Sequence, residues 1–377
     1  MRKIKNIIFL LHDAFFHFSF FKKKSHYDLV IVRSDAIGDF VIFINTLDYI
    51  LKKNSNKRNL LICTSTNSCI ARALNLSCDI LEFDKGRFEN SLKYHFNFIN
   101  TLKSIKADLL LNPTVVHHLS DDLISCAINA KRRLGTKVEK KGLINKILDV
   151  PYTNLIKIPM KGMFSEIKAM EYFIRKSIDS NYDYALSDLS PIYNSYSSQM
   201  KGKYCIIALS ASIKGRIWPL THVIDVVNAI PLDYFIVLTG HGDDDVEGAE
   251  YLLKHAENTN RIVNLVNKTS LIDLIRIISK SSFLLGNDSS AVHMAAACRI
   301  PSICYVPGAH YGRFIPYPVL KKGNEYIPHV IYYKMDCFGC NYHCKYVNPL
   351  ESVLPCVENI SSHQVLNELS KLLEEIK

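Results

Sequence analysis

Short apolar runs of strand length recur along this chain, each followed by a turn of small or polar residues and then a helix-length pattern. In the first half they lie at residues 29–32, 59–63 and 107–111; in the second at 204–209, 234–239 and 283–285. Strands alternating with helices predict parallel strands joined by crossover helices, hence an α/β fold. The alternation occurs twice, over residues 25–186 and 204–377. Between them, residues 187–203 are rich in Ser, Tyr and Asn, include Pro191, and read as a linker. A length of 377 residues suits two such domains.

The loops after the apolar runs hold the residues with chemistry. Phe283-Leu284-Leu285 leads into Gly286-Asn287-Asp288-Ser289-Ser290-Ala291-Val292-His293 and an alanine-rich helix. Asp288 or Ser289 is a natural N-cap. A strand running straight into a helix presents unpaired N–H groups and a partial positive charge, which suit a phosphate. The first loop, Arg33-Ser34-Asp35-Ala36-Ile37-Gly38-Asp39, lacks the G-x-G-x-x-G spacing, so a nicotinamide dehydrogenase is not favoured. It places Asp39 at a helix mouth above a sheet edge, where open α/β sheets bind ligands. A third loop carries Lys214, Gly215, Arg216 and Trp218. A fourth carries Gly240-His241-Gly242 and then Asp243-Asp244-Asp245.

In order and spacing these motifs resemble glycosyltransferase family 9, the bacterial lipopolysaccharide heptosyltransferases. The likeness rests on Arg33…Gly38-Asp39, Arg216-Ile217-Trp218-Pro219, Thr239-Gly240 with acids after it, Asn264-Leu265…Lys268-Thr269-Ser270-Leu271, Asp288-Ser289…His293 and Pro301. It runs from about residue 28 to the C-terminus. The chain departs from the family pattern at Ser290, where Gly is usual, at Asn45, where Pro is usual, and at Arg216, where Lys is common. The resemblance implies a GT-B fold, two Rossmann-like domains facing a central cleft. The acceptor belongs to residues 25–186 and the nucleotide sugar to residues 204–377, with a Cys-containing tail and a final helix. It further implies inverting transfer of heptose from ADP-heptose to a lipopolysaccharide or lipooligosaccharide core, on the cytoplasmic face of the inner membrane. Two alternatives stay open: the same fold using another nucleotide sugar, such as an N-acetylhexosamine donor, or a catalytically silent sugar-nucleotide-binding protein.

Glycosyl transfer to a hydroxyl needs a base, and the departing diphosphate needs charge neutralisation. Asp39 is the base candidate; the resemblance assigns that role to the matching Asp. Arg216 can grip phosphate oxygens through two N–H groups, with Lys214 beside it on the same loop. The amides of Ser289, Ser290 and Ala291 supply further donors, and His293 either donates to phosphate or orients Asp288. Trp218 belongs to the donor loop and is expected to pack beneath it. Gly240, Asp243 and Asp244 are placed near the nucleotide ribose. Asp243-Asp244-Asp245 satisfies a D-x-D pattern, but it opens a helix, where acids complement the dipole. No metal is therefore expected in catalysis. On the acceptor side the candidates are Arg33, Gly38, His117 and His118, with Lys131-Arg132-Arg133 as a basic surface.

The formal net charge of +10 calls for an anionic partner. A nucleotide sugar, an anionic glycolipid and the inner-membrane surface all qualify. No zinc-finger, RRM or homeodomain signature supports nucleic acid. Eleven cysteines, an odd number scattered through apolar runs, fit a reducing cytoplasm. Cys337, Cys340, Cys344 and Cys356 form one cluster, read as a structural metal site such as zinc, as packed thiols, or as a disulfide. Residues 7–21 are apolar and Phe-rich, with lysines at both ends. They are short for a membrane span and lack a cleavage site. Residues 1–24 thus read either as a helix lying in the membrane interface, on a peripheral protein, or as a helix packed on the body.

Overall fold

The computed structural model describes residues 25–115, 118–137, 149–159, 165–198, 200–318 and 326–376. The expected helix within residues 1–24 and His117 lie outside the described residues. The chain divides into two compact units. The first holds the described residues of Met1–Phe40, Thr46–Pro159 and Ala169–Asp183; the second holds those of Val41–Asn45, Met160–Lys168 and Tyr184–Lys377.

The first sheet comprises β1 (Ser25–Arg33), β2 (Asn59–Thr64), β3 (Asp79–Phe83), β4 (Ile105–Asn112), β5 (Asn129–Lys137) and β6 (Asn154–Lys157). All pair in parallel, in the order β3-β2-β1-β4-β5-β6. Helices α1 (Ile37–Lys53), α2 (Ser65–Ala73), α3 (Lys85–Asn90), α4 (Leu92–Lys103), α5 (Leu119–Ala127) and α6 (Glu166–Ser177) accompany it. Val30, Ile31 and Val32 are fully buried, as parallel strands covered on both faces require. On α1, Phe40, Phe43, Leu47 and Ile50 are fully buried. Their spacing keeps one face of the helix inward. Lys52 and Lys53 in its last turn oppose the negative end of the dipole.

After a short helix, α7 (Ser190–Tyr193), the second sheet repeats the topology. It comprises β7 (Lys203–Ala208), β8 (Tyr234–Thr239), β9 (Ile262–Asn264), β10 (Phe283–Asn287), β11 (Ser302–Tyr305) and β12 (His329–Ile331). The order β12-β11-β10-β7-β8-β9 is again all parallel. Its helices are α8 (Leu220–Ala229), α9 (Asp243–His255), α10 (Leu271–Ile278), α11 (Ser290–Ala297), α12 (Pro355–Glu358) and α13 (Ser362–Glu375). Read from the middle outward, each sheet has the doubly wound Rossmann strand order, and each reverses direction at one point. Those switch points lie between β1 and β4 and between β7 and β10. The fold is GT-B, two parallel α/β sheets.

Within residues 187–203, Leu189 and Ile192 are buried, and Leu189 N–H donates to the Ala297 carbonyl at 3.3 Å. One reading of the sequence changes. The run Lys131-Arg132-Arg133 is not one basic surface. Arg133 is buried, donating to the carbonyls of Ser125 at 2.7 Å, Ile128 at 2.5 Å and Pro151 at 2.5 Å, while Lys131 pairs with Asp108 at 2.7 Å. A buried guanidinium is tolerated when each of its nitrogens finds an acceptor.

Candidate functional site

In the second unit, β7 and β10 end side by side, and their loops bring the expected donor residues together. Arg216 Nη2 lies 3.2 Å from Asp288 Oδ2, and Asp288 is buried. Arg216 Nη1 also donates to Ser212 Oγ at 2.9 Å. Asp288 therefore orients the guanidinium instead of capping a helix. Ser289 takes the N-cap position of α11, yet its side chain accepts no bond from the first turn, and its Oγ is buried without a partner. The first-turn amides of Ser290 and Ala291 are thus not satisfied by a side-chain cap. They are oriented donors at the positive end of a helix.

His293 is buried on α11, with Nδ1 2.6 Å from Tyr317 Oη. Burial pushes its pKa down to about 4; nearby Asp288 raises it and Arg216 lowers it by smaller amounts. The imidazole is neutral at pH 7 and offers one N–H.

Trp218 reaches the site only through the loop it supports. Its indole is buried, lies tilted against Tyr305 with ring centroids 4.3 Å apart, and donates Nε1–H to the Ile360 carbonyl at 2.9 Å. Its backbone N–H donates to Asn287 Oδ1 at 2.9 Å, while Asn287 Nδ2 donates to the Leu209 carbonyl at 2.8 Å. Asn287 thereby ties the basic loop to the ends of both switch-point strands. Lys214 is exposed on the same loop.

Asp243 and Asp244 are exposed in the first turn of α9, whereas Asp245 turns inward. Asp245 accepts from Ser210 Oγ and, at 2.7 Å, from the His241 amide. A Cβ on Gly240 would stand 2.5 Å from Asp245 Oδ2, so glycine is required there by this carboxylate. Asp245 was legible as the third residue of a helix opened by Gly242, a position that bonds back to the preceding amides.

Sequence motifs missed a second group in this unit. Arg313 donates to Glu166 Oε1 through Nε at 3.1 Å and Nη2 at 2.7 Å. His310 Nε2 lies 3.3 Å from Arg313 and 2.6 Å from Asn341 Oδ1. Tyr342 packs on Arg216, whose Cζ is 5.9 Å from the ring centroid. No motif marks these residues, because Arg313, His310, Asn341 and Tyr342 sit on irregular segments with no periodicity and Glu166 only opens α6.

In the first unit the loop after β1 is held by its neighbours. Arg33 is buried and pairs with Asp35 at 2.7 Å, and its Nη2 lies 3.4 Å from the Asp39 carbonyl. Asp39 sits in the first turn of α1 beside Gly38, half-buried. The Asp35 carbonyl accepts from Asn67 Nδ2 at 2.9 Å, and Ser34 Oγ donates to the fully buried Asp121. Burial, then the nearby Asp35 charge, pushes the Asp121 pKa up. His118 precedes α5, exposed, with its N–H on Asp121 Oδ2 at 2.8 Å.

Cys337, Cys340, Cys344 and Cys356 line one small apolar cavity. All eleven cysteines are free thiols, which removes the disulfide reading. Among the described residues, the one group of three or more possible ligands with all ligand atoms within 4.8 Å of one another is His26, Asp28 and Asp108. The four sulfurs share a cavity without converging that closely.

Residues 161–326 match the model of glycosyltransferase family 9 (heptosyltransferase). No curated protein sequence matches the chain. Among solved structures, a family 9 glycosyl transferase from Veillonella parvula superposes with a TM-score of 0.66 at 16% identity, over 94% of this chain and 99% of that one. The heptosyltransferase WaaC of E. coli, solved with ADP-2-deoxy-2-fluoro heptose, gives 0.65 at 13% identity over 92% and 99%. The iron-containing dodecameric glycosyltransferase TibC from enterotoxigenic E. coli gives 0.55 at 14% identity over 95% and 79%. Over residues 161–326 the chain carries a glycosyltransferase family 9 domain, and it is a glycosyltransferase.

Proposed function

We propose that the protein transfers heptose, with inversion, from ADP-heptose to a lipopolysaccharide or lipooligosaccharide core acceptor. The observation that carries the donor assignment is Arg216, fixed by Asp288 beside the uncapped start of α11. Charge-assisted bonds from the guanidinium and aligned helix amides are suited to a diphosphate. The WaaC structure with a fluorinated ADP-heptose supports the choice of sugar nucleotide.

In this mechanism Asp39 accepts the acceptor hydroxyl proton as the oxygen attacks the anomeric carbon and the bond to the diphosphate breaks. Arg216, Lys214 and the amides of α11 take up the negative charge that grows on the leaving oxygen. Neutral His293 contributes one N–H or holds Asp288. Arg33, His117 and His118 contact the acceptor, and the protein works peripherally at the inner membrane. Among the described residues no helix is long and apolar enough to cross a membrane.

No divalent metal takes part in this chemistry. The four-cysteine cavity stands either as packed thiols or as a structural metal site such as zinc, which four soft thiolates would suit; the sulfurs do not converge as bound ligands would. The iron in TibC keeps iron as the other occupant. The test is product analysis by mass spectrometry with ADP-heptose, UDP-N-acetylhexosamine and other nucleotide sugars, on a heptose-deficient core acceptor. Product from ADP-heptose alone is expected. Product only from another donor would overturn the heptose assignment, and no product from any would return the protein to the binding class.

A further inference from the structure

The irregular segment between β12 and α12 lies against both charged loops of the donor half. On one side Gly339 N–H donates to the Gly308 carbonyl at 2.8 Å and Asn341 N–H to the Ala309 carbonyl at 3.2 Å. On the other, Gly215 N–H donates to the Pro349 carbonyl at 2.8 Å, and Leu354 N–H returns a bond to the Gly215 carbonyl at 3.0 Å. A Cβ on Gly215 would stand 2.8 Å from the Pro349 oxygen, so the basic loop can approach only as glycine.

Between these anchors, Asn341 and Tyr342 have φ of 49° and 62°. The left-handed region disfavours side-chain-bearing residues, bulky ones most, and such strain persists only where the surroundings over-determine it. The strained pair aims two side chains at the site. Asn341 bonds His310, and Tyr342 lies against the Arg216 guanidinium. Burial pushes the Tyr342 hydroxyl pKa up, so the ring stays neutral.

We propose that Tyr342 is a positioning residue for diphosphate binding: its ring, presented by the left-handed turn at Asn341-Tyr342, holds the Arg216 guanidinium in the orientation that meets the phosphate oxygens. The inference rests on the reading that Arg216 binds the donor diphosphate. A guanidinium over an aromatic face is attracted by the ring quadrupole. Asp288 and Tyr342 then constrain Arg216 from two partners, which lowers the entropy lost on binding.

The test is calorimetric binding of ADP, UDP and inorganic pyrophosphate to the full chain and to Y342F, Y342A, R216A and the R216A/Y342A double variant, with donor and acceptor KM measured alongside. Y342F keeps the π face and is expected within twofold of the parent. Y342A is expected to weaken nucleotide binding by about tenfold, the scale of a partly buried cation–π pair. It should raise the donor KM while leaving the acceptor KM unchanged. In the R216A background the same change should cost less than twofold, because Tyr342 acts through Arg216. If Y342A loses its cooperative thermal transition, Y342L, which fills the space without a π face, replaces it. Unchanged affinity in Y342A, or an equal loss with and without Arg216, would overturn the proposal. Unchanged affinity in R216A, or no ligand binding by the parent, would overturn the donor-site reading on which it rests.

Discussion

Asp39 and His293 occupy the first turns of two helices, and their surroundings give them different work. Asp39 begins α1 in a loop fixed by the Arg33–Asp35 pair. If it is the base, Asp39→Asn lowers kcat by about two to four orders of magnitude, the range for general-base catalysis, and leaves ADP affinity within about twofold. Turnover near that of the parent would remove Asp39 from the mechanism. His293 is held neutral by burial, with its pKa near 4. The unfolded chain, with histidine near 6.5, binds that proton earlier as pH falls. The stability contributed by neutral His293 is therefore complete above about pH 6.5 and is lost as pH falls through the folded value near 4. The full effect is on the order of 3 kcal/mol from the shift. His310, also pushed to about 4 by burial, acts in the same direction. Denaturant melts from pH 7.5 to 4.5 should fall less steeply in His293→Gln than in the parent; parallel profiles would show that His293 does not set the slope.

At the scale of elements, the positions that matter are strand ends. The loops after β1, β7 and β10 leave the two switch points, and apolar periodicity was enough to locate them, since buried parallel strands are continuous apolar runs. What the strands could not disclose was the irregular segment after β12. It has neither period, and its left-handed turn is built from Asn341 and Tyr342 rather than glycine. Burial of Arg133 was equally hidden, because a charge run reads alike whether solvated or bonded to carbonyls. Of the two cap candidates for α11, Ser289 holds the N-cap position, while Asp288 has a stronger partner in Arg216. Arg216→Ala is expected to reduce kcat/KM by about two orders of magnitude or more, and Arg216→Lys to restore only part, since an ammonium keeps the charge and loses the fork. Wild-type rates in Arg216→Ala would shift the role to Lys214. Trp218 is the sole tryptophan and is buried in the second unit. Its fluorescence reports unfolding of that unit alone, and Trp218→Ala should cost about 3–5 kcal/mol.

For the whole molecule, the twofold alternation of strands and helices announced two parallel α/β sheets and the family resemblance their Rossmann-like form, while the donor, the acceptor and the role of residues 1–24 are questions of chemistry and not of topology. The segment 1–24 carries Phe and Leu side chains, each contributing about 1.5–3 kcal/mol when buried, between basic ends. A chain starting at Ser25 should remain folded and stop sedimenting with anionic vesicles. Sedimentation that persists would move membrane contact to the body of the protein, and unfolding would make the segment part of the core. Activity should survive EDTA, with zinc and iron content measured in the same sample. A loss restored by Mg²⁺ or Mn²⁺ would promote Asp243 and Asp244 to ligands. The most direct measurement is a crystal structure with ADP bound. The account predicts diphosphate oxygens within hydrogen-bond distance of the Arg216 guanidinium and of the Ser290 and Ala291 amides. A diphosphate held instead by a divalent metal on Asp243 and Asp244, or bound away from the start of α11, would contradict it.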